Sequence, residues 1–237
     1  MSLSRQRVGA IVRKELREFR RSRSIVPSMA VLPLLFVVVV LLEATSQPAS
    51  VLRHNPLLLY LLGVPVLLPV VLAGYTVASE RQQGTLEPVL TTPIRGDELL
   101  LGKTLAVLLP TLALSYAWYA VVAVGVALLA RPGVPAALFR LPDVVALLLF
   151  TPLLAGWSIW IGIAISTRLN DARAAQQLGS LASLPAIAVT ILVVADVIPA
   201  TLGLSLGLAA VLLVLNGLGW WVMATLFDRE RLVAGTR

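Results

Sequence analysis

Residues 104–130 read TLAVLLPTLALSYAWYAVVAVGVALLA, 27 residues without a single charge. A helix of a soluble domain shows apolar residues on one stripe and polar ones opposite. This run is apolar on every side, and its helical length of about 40 Å exceeds the roughly 30 Å of bilayer hydrocarbon. Barrel strands are excluded by period, because they alternate apolar and polar over about ten residues. Nothing alternates in Val37-Val38-Val39-Val40-Leu41-Leu42 or in Val144 to Leu149. Without water in the bilayer core each backbone group must be satisfied within its own segment, so such runs are read as helices.

Five further charge-free stretches flank it, at 25–42, 57–78, 144–165, 174–195 and 197–227. The six hold 142 of the 237 residues, and all 31 Lys, Arg, Asp and Glu lie in the remaining 95. A soluble domain is about one quarter charged; this chain is 13% charged and 58% hydrophobic, with a mean hydropathy of +0.92. A soluble enzyme and a disordered chain are thereby excluded, and zero cysteines exclude disulfides, thiol chemistry and Cys-bound metal. The expectation is an all-α polytopic membrane protein of one domain, 1–237, with six transmembrane helices.

Charge sets the orientation. With the N-terminus inside, the cytoplasmic segments 1–24, 79–103, 166–173 and 228–237 carry 16 Lys and Arg, against Arg53, Arg131 and Arg140 outside. That bias follows the positive-inside rule and puts both termini in the cytoplasm. A pI of 10.8 would suit nucleic acid, but these basic residues line the inner membrane face, where anionic lipid attracts them. The partner read here is the lipid bilayer, with no nucleic acid. The apolar run at 25–42 is too long for the core of a secretion signal, so cleavage is not expected.

Residues 2–23 read as an amphipathic interfacial helix: Val8, Ile11, Val12, Leu16 and Phe19 share one face, and Arg13, Lys14, Arg17, Arg20 and Arg21 occupy the rest. A plain basic anchor that fixes topology fits the same residues. Prolines recur in the spans, at 27, 33, 65, 69, 110, 152, 185 and 199. Each removes a backbone donor and kinks its helix, and plain structural kinks are the favoured reading; if any serve as hinges for alternating access, Pro65 and Pro69, one turn apart, are the best candidates. Gly203 and Gly207 form a GxxxG pair of the kind that lets helices approach closely.

Chemistry of other kinds is missing. The spans contain no ionisable residue of the sort that carries ion coupling, and Glu43, Asp143 and Asp196 fall at outer ends. The energy source is expected elsewhere. Gly102-Lys103-Thr104 mimics the tail of a phosphate loop, but that motif needs glycine where Asp97 stands. The single His54 has neither a carboxylate nor a second histidine beside it for a metal site or a catalytic dyad. No catalytic residue and no metal ligand is expected.

The informative segment is the cytoplasmic loop 79–103, SERQQGTLEPVLTTPIRGDELLLGK. Gly84 lets the chain turn, Thr85 can cap a short helix to about Thr91, Pro93 ends it, and Asp97 can cap the third span. Leu86, Val89 and Leu90 on such a helix suit a groove on a soluble partner; composition alone favours a plain connector between two spans.

The same segment resembles the signature of the ABC type-2 permease family, the membrane subunits of bacterial ATP-driven exporters. That signature, E-R-x-x-G-T-L-E, then T-P, then E-L-L-L-G-K, is matched by Glu80, Arg81, Gly84, Thr85, Leu86, Glu87, Thr92, Pro93 and Glu98 to Lys103. The basic start with Lys14-Glu15-Leu16 is similar to the family's elbow helix, and 166–177 is similar to a loop before span five. The resemblance implies a permease in the bacterial plasma membrane that pairs with a second permease chain, identical or related, and with two copies of a separate ATPase subunit. The ATPase would bind ATP and magnesium and would seat the coupling helix at 85–91 in a cleft. Trp118, Tyr119, Trp157, Trp160 and Asn216 are candidates for a substrate path, though aromatic residues at such places also serve as packing anchors. The substrate itself is illegible: a drug, lipid, peptide, haem or ion all fit. A permease serving cofactor or metal-centre assembly and a non-transporting membrane scaffold are the rival readings.

The topology has a direct check. Single cysteines at Ser4 and Thr236 of this cysteine-free chain should resist an impermeant thiol reagent in intact cells, whereas cysteines at Ser50 and Gly133 should react. Labelling at either terminus would overturn the orientation.

Overall fold

The computed structural model describes residues 4–21, 25–53, 57–82, 96–166 and 202–234, together with 55, 174, 177–180, 188 and 191. The described elements are all helices, with no strand among the described residues, as the unbroken apolar runs require. The elements are α1 (Arg5–Arg21), α2 (Ile25–Ser46), α3 (Ala49–Leu52), a 3-10 helix (Leu57–Leu62), α4 (Gly63–Gln82), α5 (Gly96–Leu129), α6 (Val134–Leu138), α7 (Leu141–Ser166) and α8 (Leu202–Ala234).

Among the described residues, four helices are long and apolar enough to cross a membrane: Met29–Ser46 of α2, α5, α7, and Ser205–Thr225 of α8. The stretch expected at 57–78 is a shorter apolar helix over Leu57–Ala73. Its first turns are wound as a 3-10 helix, and Pro65 supplies a reason. Lacking an N–H, it cannot donate to the Leu61 carbonyl in the α pattern. The stretch at 174–195 lies outside the described residues except for 174, 177–180, 188 and 191.

α7 is the central helix: half of its apolar window is buried, against 11% for α8. α4 packs lengthwise on α7, α8 and α5 cover other sides of α7, and α2 lies against α4 and α5. The large apolar side chains left exposed belong mainly to α2, α5 and α8, including Leu35, Leu42, Leu128, Leu213 and Trp221. Such all-round apolarity on outer helices suits hydrocarbon, not water.

Two apolar clusters fill the interior. One gathers Val40, Leu52, Leu57 to Leu59, Leu61, Leu62, Val122, Val126, Val134, Leu138 and Leu154. At this end the short helices α3 and α6 pack together. Gly133 supplies the left-handed φ of 90° that turns the chain into α6. Arg140 clamps the same end: its Nε donates to Asp143 Oδ2 at 2.6 Å and its Nη1 to the Arg53 carbonyl. The other cluster joins Ile11 and Phe19 of α1 to Leu72, Leu99, Leu100, Val107, Ile159, Ile163 and Met223.

Several polar groups inside the bundle reach across to neighbouring helices. Pro152 leaves the Leu148 carbonyl without its usual donor, and the Tyr116 hydroxyl stands 3.4 Å from it. The Leu61 carbonyl, four residues before Pro65, has the Tyr119 hydroxyl 3.5 Å away. Both contacts are long. Thr151 uses its own proton on the Leu147 carbonyl, so the short 2.9 Å bond is Tyr119 donating to Thr151 Oγ1. Asn216 of α8 is held by three bonds. Its Nδ2 donates to the carbonyls of Leu153 and Leu212 at 3.0 and 2.8 Å, and Trp160 Nε1 donates to its Oδ1 at 3.1 Å. Gly156 makes room for that amide, and Gly219 for the Trp160 ring, which approaches to 2.6 Å of where a Cβ would stand. Gly203 and Gly207 face nothing within 4 Å among the described residues.

The Asn216 interlock gives a stability test. A methyl at Gly156 would clash with the Asn216 oxygen and break up a satisfied amide, at a cost of roughly 1–3 kcal/mol. Gly156→Ala should therefore lower the thermal midpoint of the purified protein by several degrees. Gly9→Ala, where a methyl meets open space, should not lower it. An unchanged midpoint for Gly156→Ala would remove the interlock.

Candidate functional site

The connecting loop leaves α4 at Gln82 and returns at Gly96, where α5 begins. Asp97 and Glu98 sit in the first turn of α5, where negative charge complements the helix dipole. Glu98 and Gly102 share one side of α5 by helical spacing, Lys103 stands about 100° further round than Gly102, and α1 lies across this part of the helix.

Three successive contacts hold the junction. Glu98, 1% exposed, accepts a bond from the Ser4 backbone N–H at 3.0 Å and pairs with Arg7 at 3.4 Å. Ile11 packs onto Gly102 so closely that a Cβ there would stand 2.6 Å from the isoleucine Cγ2. One residue on, Lys103 Nζ donates to Glu15 Oε1 at 2.9 Å, with both side chains at most 2% exposed. Lys14 flanks the pair, 3.9 Å from Glu15 and 3.5 Å from Glu18.

Sequence periodicity placed Val8, Ile11, Val12, Leu16 and Phe19 on one apolar face. The structure buries Val8, Ile11 and Phe19 and leaves Val12 and Leu16 half-buried. That face lies on the protein, against α5, because the stripe also carries Glu15, which needs Lys103. α1 covers Arg5–Arg21, slightly inside the expected 2–23. Glu15 and Lys103 were not singled out as partners from sequence. The available signal was an acid between Ile11 and Phe19 at i+4 spacing, and a lysine at the very border of an apolar run.

Of the residues assigned to ATPase coupling, Glu80 and Arg81 fall in the last turn of α4. Gly84, Thr85, Leu86, Glu87, Thr92 and Pro93 lie outside the described residues, as does the short helix expected at 85–91. The Glu98–Lys103 half of the signature is described, and each of its three distinctive residues has a physical role at the α1 contact.

The residues assigned to a substrate path separate into two places. Trp118 and Tyr119 belong to the cluster at the α3–α6 end. Trp160 and Asn216 form the α7–α8 interlock, with Trp220 edge-on to Trp160 at 5.9 Å between ring centres. Trp157 is half-buried on α7.

Removing one member of a buried ion pair strands its partner and costs about 3–5 kcal/mol, whereas replacing both by apolar residues is often neutral. Lys103→Met alone should sharply lower the thermal midpoint and the yield of folded protein. Adding Glu15→Leu should recover most of the loss. Equal stability of Lys103→Met and the parent protein in a thermal melt would contradict the pairing.

The family described as ABC-2 family transporter protein matches residues 11–172, about two-thirds of the chain, from the middle of α1 past the end of α7. No curated protein matches the sequence.

Proposed function

Since the chain belongs to the ABC-2 transporter family, we propose that it is the permease subunit of an ATP-driven exporter, coupled to a separate ATPase through the loop between α4 and α5. The family membership and the several apolar helices make it a multi-pass membrane protein of an ABC transporter system. The chain is a transport subunit, not itself an enzyme of that family.

The observation that carries the coupling reading is the anchorage of the loop's far end. Residues 83–95 lead into α5, and α5 is fixed to α1 within its first two turns by the Glu98, Gly102 and Lys103 contacts. A push on the loop would therefore move α5 and α1 together instead of being absorbed by a loose junction. α1 leads to α2, so the same push reaches a second span. Glu80, Arg81, Gly84, Thr85, Leu86, Glu87, Thr92 and Pro93 form the proposed ATPase contact. The partner subunits bind ATP and magnesium; two such subunits and a second permease chain complete the assembly. Six spans with both termini in the cytoplasm of a bacterial plasma membrane fit the 16 inner against three outer basic residues.

Two measurements test this reading. The purified chain alone should neither bind nor hydrolyse ATP, because its only phosphate-loop look-alike has Asp97 in place of the required glycine. Leu86→Asp should leave membrane insertion intact while abolishing ATPase copurification or substrate-stimulated hydrolysis. A leucine buried in a partner groove is worth roughly 1.5–3 kcal/mol, and the aspartate adds an unpaired charge. Full assembly and full coupled activity in Leu86→Asp would reduce the loop to a connector.

A further inference from the structure

α1 has a second face. Val8, Ile11, Glu15 and Phe19 turn toward α5, and at about 100° per residue Arg13, Arg17, Arg20 and Arg21 fall on the opposite side. These four arginines, with Leu16, line a wide, open surface depression of about 510 Å³. Two other basic residues of α1 are paired within the protein, Arg7 with Glu98 and Lys14 with Glu15 and Glu18, while Arg5 lies at the far start of the helix. Arg13, Arg17, Arg20 and Arg21 are exposed and make no ion pair or hydrogen bond with any described residue. Four unpaired guanidinium groups around one hollow form a site for an anion, and their planar forks match phosphate oxygens in bidentate pairs.

We propose that this hollow binds the phosphate headgroup of an anionic phospholipid. Its height is the first reason. Arg21 ends α1, α2 starts at Ile25, and the apolar window of that span opens at Met29. On the other side α1 rests on residues 98–103 of α5, immediately before the charge-free run that starts at 104. The arginines therefore stand at the border of the hydrocarbon, where headgroup phosphates lie. Leu16 is the second reason: an apolar wall beside the charges suits the glycerol and upper acyl carbons of a lipid, and a free phosphate ion makes no use of it. The site rests on the membrane placement alone and is independent of transport or ATPase coupling.

The test is native mass spectrometry of the full chain in neutral detergent, titrated with dioleoyl-phosphatidylglycerol or dioleoyl-phosphatidylcholine. Phosphatidylglycerol should be retained preferentially. The variant carrying Arg13→Gln, Arg17→Gln, Arg20→Gln and Arg21→Gln should weaken that binding by at least about tenfold. Phosphatidylcholine binding should not change, and Arg131→Gln in the far turn should have no effect on either lipid. Should the fourfold variant fail to insert, Arg17→Gln and Arg20→Gln alone must each weaken phosphatidylglycerol binding. Unchanged phosphatidylglycerol binding in the variants overturns the proposal. Complete displacement of the lipid by excess inorganic phosphate would make the hollow a free-anion site and overturn the lipid assignment. Unchanged lipid binding with loss of a copurifying ATPase would assign the face to a protein partner instead.

Discussion

Lys103 is the last charge before the longest apolar run of α5, and Glu15 is what allows it to be buried there. An isolated ammonium in that place would cost several kcal/mol, so the acid must come with it. Glu15 belongs to α1, which fixes how α1 docks and in which register. Ile11 then meets Gly102, and the Ser4 amide and Arg7 meet Glu98. The second apolar cluster, from Phe19 to Ile163 and Met223, assembles around this junction. The end of the connecting loop, the elbow before the first span and the base of the central bundle thus share one electrostatic lock.

Higher in the bundle the constraint is different. Prolines at 33, 69, 110 and 152 lie inside helices, and each removes a donor where no water replaces it. The described hydroxyls answer part of that loss: Tyr116 reaches the Leu148 carbonyl freed by Pro152, and Tyr119 sits by Leu61 and donates to Thr151. Asn216 is the reverse case, a polar side chain taken into an apolar helix and satisfied by Leu153, Leu212 and Trp160. Glycine at 156 and 219 makes the space for it. Its bonds to Leu153 and Trp160 hold α8 on α7.

The helical class was legible because charge-free runs have one solution in a bilayer, and α5, α7 and α8 follow those runs closely. The 3-10 start at Leu57–Leu62 was not, since it depends on a missing N–H four residues downstream. The amphipathic pattern of α1 was read correctly as a helix, yet its apolar stripe faces protein. Periodicity gives a face but not its neighbour, and the one residue that distinguished the two, Glu15, looks like an imperfection in the stripe. The motif Glu98 to Lys103 was visible as a string; its physical content, an acid for an amide and an arginine, a gap for an isoleucine and a lysine for a glutamate, needed the position of α1. The other half of the signature, Gly84 to Pro93, lies outside the described residues, so its chemistry rests on sequence.

The docking of α1 on the start of α5 is tested most directly by crosslinking in membranes. Ile11 Cβ lies 2.8 Å from where a Gly102 Cβ would stand, so cysteines at both positions need only a small shift to reach disulfide geometry. The natural chain has no cysteine to interfere. With a protease site inserted at Ser50, mild oxidation should hold the two cleaved fragments of Ile11→Cys/Gly102→Cys together until a reductant is added. Arg17→Cys/Gly102→Cys, from the opposite face of α1, should fall apart on cleavage. Fragments of the first pair that separate without reductant, or equal crosslinking of the second, would contradict the lock between α1 and α5.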